Sequence, residues 1–382
     1  MTDHPVIRPF RISIPQSELD DLHTRLARTR WAQELPADQV TDGVQQGPVM
    51  PGWELGVPLS YVRRLVAYWL EEYDWRATEA KLNALPQFTT TIDGQNIHFL
   101  HVRSADPDAV PLILTHGWPN CFVEYAGVVG ALTDPDGPGT PFHLVIPDVP
   151  GFGFSGPTAE KGWNHLRTAR AWAELMRRLG YERYGAAGND GGSMISPEIG
   201  RADPEHVIGV HVTQIFSFPS GDPAEFDGLP PEDFGKLEFL KAFNDEMSGY
   251  SQLQGTKPQN LAHALADSPA GQLAWIGQLL MESVSPEVAV TIATIYWLTN
   301  TGASSARMYY EVAHQSPAAG PTTIPLGLAQ FADDFQSIRR FAERDHANIV
   351  SWNAYDRGSH WSSHDAPDLL VGDLRQFFGK LR

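Results

Sequence analysis

The pattern of hydrophobic and polar positions first predicts a helical leading segment. IPQSELDDLHTRLARTRWA places Leu19, Leu22 and Leu26 on one face, as in an amphipathic helix with Ser17 as its N-cap. LSYVRRLVAYWLEEYDWRATEAKLNAL repeats the helical period, and the intervening QVTDGVQQGPVMPG is rich in Gly, Pro and Gln, which is typical of a loop. Residues 1–90 are therefore predicted to form a segment separate from the rest of the chain.

From residue 88 onward, short apolar runs alternate with a helical pattern. FTTTIDGQNIHFLHV predicts a hairpin that turns at Asp93-Gly94. PLILTHGWP, FHLVIPDVPGFGFSGP, YGAAGND, VIGVHVTQI, TTIPLGLAQF and NIVSWNAY contain runs that suit buried strands, whereas TARAWAELMRRLG and DLLVGDLRQFFGKL suit helices. Buried strands that alternate with helices predict an α/β fold with a doubly wound, mostly parallel sheet. This core is expected to span residues 91–216 and 318–382.

Residues 217–317 interrupt that alternation. The stretch opens with SFPSGDPAEFDGLPPEDFG, which is rich in Pro and Gly, and continues with largely helical periodicity. A helical insertion in a sheet domain is predicted here, in the position of a lid.

Composition and charge then narrow the function classes. The 382-residue chain has a formal net charge of −18, which argues against nucleic acid and anionic membranes as partners. Cys121 is the single cysteine, so neither an intramolecular disulfide nor a thiolate metal cluster is expected. The N-terminus has no signal-like apolar region and no run of 18 apolar residues occurs, which predicts a cytoplasmic protein. The leading segment is a candidate for clasping a second copy in a homodimer.

GNDGG, at residues 188–192, has the form of the nucleophile elbow G-x-S-x-G, with Asp190 in the serine position. Glycines permit the sharp turn between a strand and a helix that holds such a residue in a strained conformation. The alternative is a structural role for Asp190 in an Asx-turn or as a helix N-cap. From these residues alone both interpretations stay open.

HGWP, at residues 116–119, also follows a predicted strand. The backbone N–H groups of Trp118 and Gly191 can together form an oxyanion hole, whereas His116 is predicted to be a buried histidine that holds the loop. GFGFSG matches the dinucleotide pattern G-x-G-x-x-G, but Pro157 follows at once and the next helix starts much later. A tight loop that lines a cavity is predicted there instead.

RGSHWSSHDAP provides a general-base candidate, because the α/β-hydrolase order places a histidine after the nucleophile and the acid. We expect His360 to be that base. His364 could instead pair with it at a metal site, but no acidic or histidine cluster completes one. The orienting carboxylate is expected in LAQFADDFQ, where Asp333 and Asp334 are both candidates and Glu343 is a more distant third.

Taken together, HGWP, GNDGG and GSHW resemble the microsomal-type epoxide hydrolases of the α/β-hydrolase fold. The similarity covers nearly the whole chain and includes GWELGVPLSYVRRLVAYWLEEYDWRATEAKLNALPQF, DVPGFGFSGP, EMSGYSQLQGTKPQNLAHALADSPAGQLAWI and SSARMYYE. Within that family, the chain is similar to bacterial enzymes of enediyne antibiotic biosynthesis, which open aryl-substituted epoxides to vicinal diols. The resemblance implies an N-terminal extension that wraps the core, an epoxide as substrate, and neither a metal nor an organic cofactor.

The resemblance also implies roles for individual residues. Asp190 takes the place of the nucleophile that forms an alkyl ester with the substrate, and His360 that of the base. Asp334 takes the acid position, which is often Glu in relatives. Tyr250 and Tyr309 take the places of the two lid tyrosines that donate to the epoxide oxygen. A shift of one residue would put the next tyrosine, Tyr310, in place of the second. Gly191 departs from many relatives, which carry a bulky residue there, and is expected to widen the pocket.

Two other functions are weighed against this one. A haloalkane dehalogenase shares the Asp and His, but commonly binds halide with a Trp after the nucleophile, where this chain has Gly191. A non-catalytic binding protein of the same fold would not need a nucleophile, a base, an acid and lid donors together. A lipase or peptidase is disfavoured because the elbow carries no serine.

Overall fold

A computed structural model describes residues 6–35, 50, 52–316 and 320–381, so most of the predicted loop at residues 39–52 lies outside the described part. Within it, nine strands form one sheet. They are β1 Arg8–Phe10, β2 Gln87–Ile92, β3 Gln95–Val102, β4 Val110–Thr115, β5 Phe142–Pro147, β6 Tyr184–Gly188, β7 Val207–Val212, β8 Leu326–Gln330 and β9 Ile349–Ala354.

Helices precede, connect and follow these strands. They are α1 Gln16–Ala27, α2 Leu59–Glu71, α3 Trp75–Leu82, α4 Val123–Ala126, α5 Val129–Thr133, α6 His165–Arg178, α7 Gly191–Ala202, α8 Pro231–Glu246, α9 Gly249–Thr256, α10 Pro258–Asp267, α11 Pro269–Leu280, α12 Pro286–Leu298, α13 Gly302–Ala313, α14 Arg339–Asp345, α15 Ser362–Asp365 and α16 Pro367–Gly379. None of those described is both long and apolar enough to cross a membrane.

The sheet runs in the order β1-β2-β3-β5-β4-β6-β7-β8-β9. The first four strands in this order pair antiparallel, and β5, β4, β6, β7, β8 and β9 pair in parallel. The predicted hairpin is the β2–β3 connection, where Asp93 and Gly94 both have positive φ. Every residue of β5 and β6 is buried, as expected for strands covered on both faces. The predicted α/β-hydrolase architecture is confirmed.

One local prediction is wrong. Helix α1 begins at Gln16 after Pro15, which is extended, and no side chain caps its first turn. Ser17 is therefore inside the helix and not its N-cap. Proline fixes φ near the value that a residue before a helix tolerates, so the chain enters the helix two residues earlier than the polar pattern indicated.

The parallel register brings five chain segments to one edge of the sheet. Thr115, the last residue of β4, pairs with Gly188 of β6, which in turn pairs with Val212 of β7. Val212 pairs with Leu328 of β8, and the last residues of β8 and β9 are also partners. The segments after these strands contain Trp118, Asp190, Gln214, Asp334 and His360. Ligand sites of open α/β sheets lie at this carboxyl edge.

Helices α8 to α13 lie between β7 and β8 in the chain and cover this edge, and the N-terminal segment is tied to them. The Tyr61 hydroxyl in α2 donates to the Met281 carbonyl over 2.6 Å, and Tyr73 bonds Thr291 of α12 over 3.0 Å. The Trp361 indole donates to the Leu279 carbonyl of α11 over 3.0 Å. The helical segment is therefore held from both sides.

Candidate active site

Asp190 occupies a strained turn between β6 and α7. Its φ of 52° and ψ of −119° lie where non-glycine residues are uncommon. Although it stands at the N-cap position of α7, its side chain makes no capping hydrogen bond. Its Oδ1 instead accepts from the Trp118 backbone N–H over 2.8 Å. The capping alternative therefore does not describe this carboxylate, and the strain turns it toward the segment after β4.

The glycines around Asp190 are needed because three segments of the backbone approach each other closely there. A Cβ on Gly192 would overlap the carbonyl of Thr115, and a Cβ on Gly188 would overlap the backbone of Gly192. By contrast, a Cβ on Gly191 would make ordinary contacts with Gly117, Met308 and His165. The space beside Asp190 is thus open at Gly191, and a longer side chain there would extend toward Met308.

His360 and two backbone donors keep Asp190 ionised. Burial by itself would raise the pKa of its carboxyl group, but the hydrogen bond and charge of His360 and the N–H groups of Trp118 and Gly191 lower it by more than burial raises it. The pKa of Asp190 therefore lies below its ordinary value. Trp118 and Gly191, the two predicted oxyanion donors, both contact this carboxylate.

His360 lies between two carboxylates. Its Nδ1 is 2.8 Å from Asp334 Oδ1, and its Nε2 is 3.5 Å from Asp190 Oδ2. Burial lowers the pKa of His360, but attraction to Asp334 and the hydrogen bond to Asp190 outweigh it, so the pKa lies well above its ordinary value. The sequence left Asp333 and Asp334 open, and the structure brings only Asp334 to His360. Asp333 is exposed and its backbone pairs with the His360 loop at Gly358.

The remaining sequence candidates lie elsewhere. Glu343 is exposed and pairs with Arg339 over 2.7 Å. His364 is half-buried, with its Nε2 buried and without a hydrogen-bond partner, and no cluster of three potential metal-ligating side chains exists among the residues described. His116 accepts from the Val149 backbone N–H over 3.0 Å, which agrees with its predicted structural role.

Gln214, which the sequence analysis did not single out, connects the site behind Asp190. Its Oε1 accepts from the Asp190 backbone N–H over 2.9 Å, and its Nε2 donates to Asp334 and to Asn189. Asn189 in turn donates to the His360 carbonyl over 2.9 Å. This buried network fixes the relative positions of Asp190, His360 and Asp334. The sequence signal that could have identified Gln214 was its position two residues after the end of β7, at the carboxyl edge of the sheet.

The two predicted lid tyrosines face Asp190 from α9 and α13. Tyr250 stacks on the Trp118 indole with ring centroids 5.5 Å apart, and Tyr309 meets Tyr250 edge to face at 5.9 Å. Burial and the negative charge of Asp190 raise the pKa of Tyr250, and burial with neighbouring Tyr250 and Asp190 raises that of Tyr309. Both hydroxyls therefore keep their protons. Tyr310 instead stacks on His314 at 4.0 Å.

Asp190, Tyr250 and Tyr309 line a single cavity of about 450 Å³. Its other walls include Phe216, Phe218, Phe243, Met308, Met194 and His165. Phe216 and Phe218 pack with Phe335 in an aromatic cluster. Burial lowers the pKa of His165 to about 4, so its imidazole is neutral. The cavity is thus mainly apolar, with an anionic carboxylate opposite two hydroxyl donors, as expected of a small-molecule site.

Comparison with known proteins places this chain in a family. Residues 7–125 match the family described as "Epoxide hydrolase N terminus", and residues 110–289 match "alpha/beta hydrolase fold". A "Putative epoxide hydrolase" of Stigmatella aurantiaca is 40% identical, with 98% of this chain and 86% of that protein covered. Epoxide hydrolase 1 of Sus scrofa is 30% identical over 98% of this chain and 89% of its own length.

A solved structure agrees over the same extent. The epoxide hydrolase of Aspergillus niger superposes with a TM-score of 0.84 at 28% identity, and the match covers 99% of this chain and 97% of that one. The sequence relatives and this structure span the leading segment, the sheet and the helical insertion, and the two family matches together cover residues 7–289. The chain therefore belongs to the epoxide hydrolases of the α/β-hydrolase fold and is an enzyme of that family.

Proposed function

We propose that the enzyme converts an epoxide to a vicinal diol in two steps, through an ester on Asp190. The observation that carries the proposal is that the Asp190 carboxylate shares one apolar cavity with Tyr250 and Tyr309 and has His360 beside it. A carboxylate with a lowered pKa is already a nucleophile at neutral pH, so it needs no base for the first step.

In the first step an oxygen of Asp190 attacks an epoxide carbon and the ring C–O bond breaks. The leaving oxygen accepts hydrogen bonds from Tyr250 and Tyr309 and takes a proton from one of them, which solvent later replaces. Because burial keeps both phenols protonated, they serve as donors and not as bases.

In the second step water attacks the ester carbonyl carbon of Asp190. His360, oriented by Asp334, takes the proton of that water. The oxyanion forms on the former carboxylate oxygen, beside the N–H groups of Trp118 and Gly191. The acyl C–O bond of the ester then breaks and the diol oxygen receives the proton from His360. The carboxylic acid left on Asp190 releases its remaining proton to solvent, which restores the carboxylate.

The proposed substrate is an aryl-substituted epoxide, of the kind opened in enediyne antibiotic biosynthesis. Aromatic walls at Phe216, Phe218 and Phe243 and the open space at Gly191 support a planar, bulky substituent. A halide leaving group would not use two hydroxyl donors placed for an oxygen, so these tyrosines favour epoxide opening over dehalogenation. A binding protein would have no use for the His360–Asp334 pair.

Incubation of the purified enzyme with styrene oxide tests the proposal. The wild type should release phenylethanediol, and Asp190→Ala should lose this activity by at least about 10³-fold because the attacking atom is gone. Diol formation by Asp190→Ala at the wild-type rate would contradict the proposal. The proposal would also be contradicted if the wild type formed no diol from any of a set of aryl and alkyl epoxides.

A further inference from the structure

Glu124 is a buried carboxylic acid that the proposed mechanism does not use. It lies in α4, just after the HGWP segment, and is 1% exposed. Neither of its side-chain oxygens has a hydrogen-bond partner among the residues described. Glutamate is almost never fully buried without a partner, because removing a carboxyl group from water is costly. This group therefore calls for a functional explanation.

The position of Glu124 relates it to the reacting groups. Helix α4 packs against α15, which begins two residues after His360. The charges of His360 and Asp190 both act on the Glu124 carboxyl group, and the Asn189 amide lies close enough to lower its pKa. Glu124 is not among the residues that line the cavity shared by Asp190 and the tyrosines. Glu124 therefore lies near Asp190 and His360 but outside the lining of that cavity.

The second step needs a water molecule beside Asp190 and His360. The water must reach the Asp190 ester carbon and His360 Nε2 while the alkyl group still fills the cavity. Buried waters are held by two to four polar partners, and a site with unpartnered polar atoms is where one binds. The Asn189 oxygen already accepts from Thr213 and Gln214, whereas the Glu124 oxygens beside it are available to accept from a water.

We propose that Glu124 is a positioning residue that holds the hydrolytic water beside His360 and Asp190. The inference rests on the proposed ester mechanism. The water donates one hydrogen to a Glu124 oxygen and the other to His360 Nε2, so its oxygen faces the ester carbon. His360 alone takes the proton, and Glu124 neither gains nor loses an atom during the step.

The ionisation of Glu124 is compatible with this role. Burial raises its pKa to about 8, although Asn189 and His360 oppose the rise. At neutral pH the carboxyl group is therefore mostly uncharged. A neutral acid can accept from water without competing with Asp334 for the imidazolium of His360. It also adds no second negative charge to repel the Asp190 carboxylate.

Separate rates for ester formation and ester hydrolysis test the inference. We would mix each protein with styrene oxide, quench at short times and follow the mass of the peptide that contains Asp190. Glu124→Leu should slow ester decay by about 10- to 100-fold, because the water loses its acceptor, and leave ester formation within about twofold. Glu124→Gln, which keeps an acceptor of the same shape, should restore most of the decay rate.

Ser196→Ala is the matched control, because it removes another buried side-chain oxygen without a partner. Its ester should form and decay as in the wild type. If Glu124→Leu does not fold, Glu124→Met replaces it in the same comparison. Equal slowing of both steps, or unchanged decay in the apolar variants, would overturn the role of Glu124. Absence of any ester in the wild type and in His360→Gln would instead overturn the proposed mechanism.

Discussion

Asp334 Oδ1 lies 2.8 Å from Nδ1 of His360, and the Asp334 side chain is only 3% exposed. This carboxylate fixes the tautomer that leaves Nε2 free to accept a proton from water. Asp334→Asn keeps the shape but removes the charge, so ester hydrolysis should slow by about 10²-fold or more. Steady-state kcat and the amount of Asp190 ester during turnover measure the effect.

The neighbouring residue supplies the control for that prediction. Asp333→Asn changes an exposed carboxylate that does not reach His360, and kcat should stay within about twofold of the wild type. A larger loss in Asp333→Asn than in Asp334→Asn would show that the acid has been assigned to the wrong residue.

The charge of Asp190 should control the protonation of His360. Its negative charge is one of the influences that raise the pKa of His360 against the opposing effect of burial. Asp190→Asn removes that influence, so the pKa of His360 should fall. In the proposed mechanism esterification removes the same charge, so the pKa of His360 should fall when the second step needs a base. Ester hydrolysis should then accelerate with rising pH as His360 in the ester loses its proton.

NMR titration of the histidine signals measures this pKa, with His360→Gln to assign the resonance. Asp203→Asn is the matched control, because Asp203 raises the pKa of His206 at a distant site. That variant should lower the pKa of His206 and leave His360 unchanged. A His360 pKa that stays constant or rises in Asp190→Asn would contradict the prediction.

Tyr309 and Tyr310 should differ sharply although they are adjacent. Tyr309→Phe removes a hydroxyl from the cavity that contains Asp190, so ester formation should slow by about 10- to 100-fold, with Tyr250 still donating. Tyr310→Phe removes a hydroxyl from a ring that stacks on His314, and should change the rate by no more than about twofold. Single-turnover rates of ester formation decide between them, and the reverse order of effects would contradict the structure.

The fold was predictable because parallel strands buried on both faces leave a strong apolar signature. The runs that became β4, β5 and β6 show it, and the glycines beside Asp190 mark the turn where a helix succeeds a strand. The order of nucleophile, acid and histidine along an α/β-hydrolase chain then indicated where Asp190, Asp334 and His360 should be sought. The sequence could not distinguish between adjacent residues of the same type. Asp333 and Asp334, like Tyr309 and Tyr310, differ only in the direction in which their side chains point.

Gln214 and Glu124 escaped the sequence analysis for a different reason. Their environment depends on contacts between segments far apart in the chain: Gln214 joins the elbow to the segment after β8, and α4 meets α15. Ser17 was misplaced because the effect of Pro15 on the entry to α1 outweighed its polar side chain. The domain boundaries, the cytoplasmic location and the second subunit stay predictions.

The central claim is that an oxygen of Asp190 becomes an oxygen of the product. A single turnover of excess enzyme with styrene oxide in oxygen-18 water tests it directly, with mass spectrometry of the diol and of the Asp190 peptide. We expect the first diol to be unlabelled at the new hydroxyl, and the label to appear in the Asp190 carboxylate. Label in that first diol, with none in Asp190, would mean that water attacks the epoxide directly and would contradict the account.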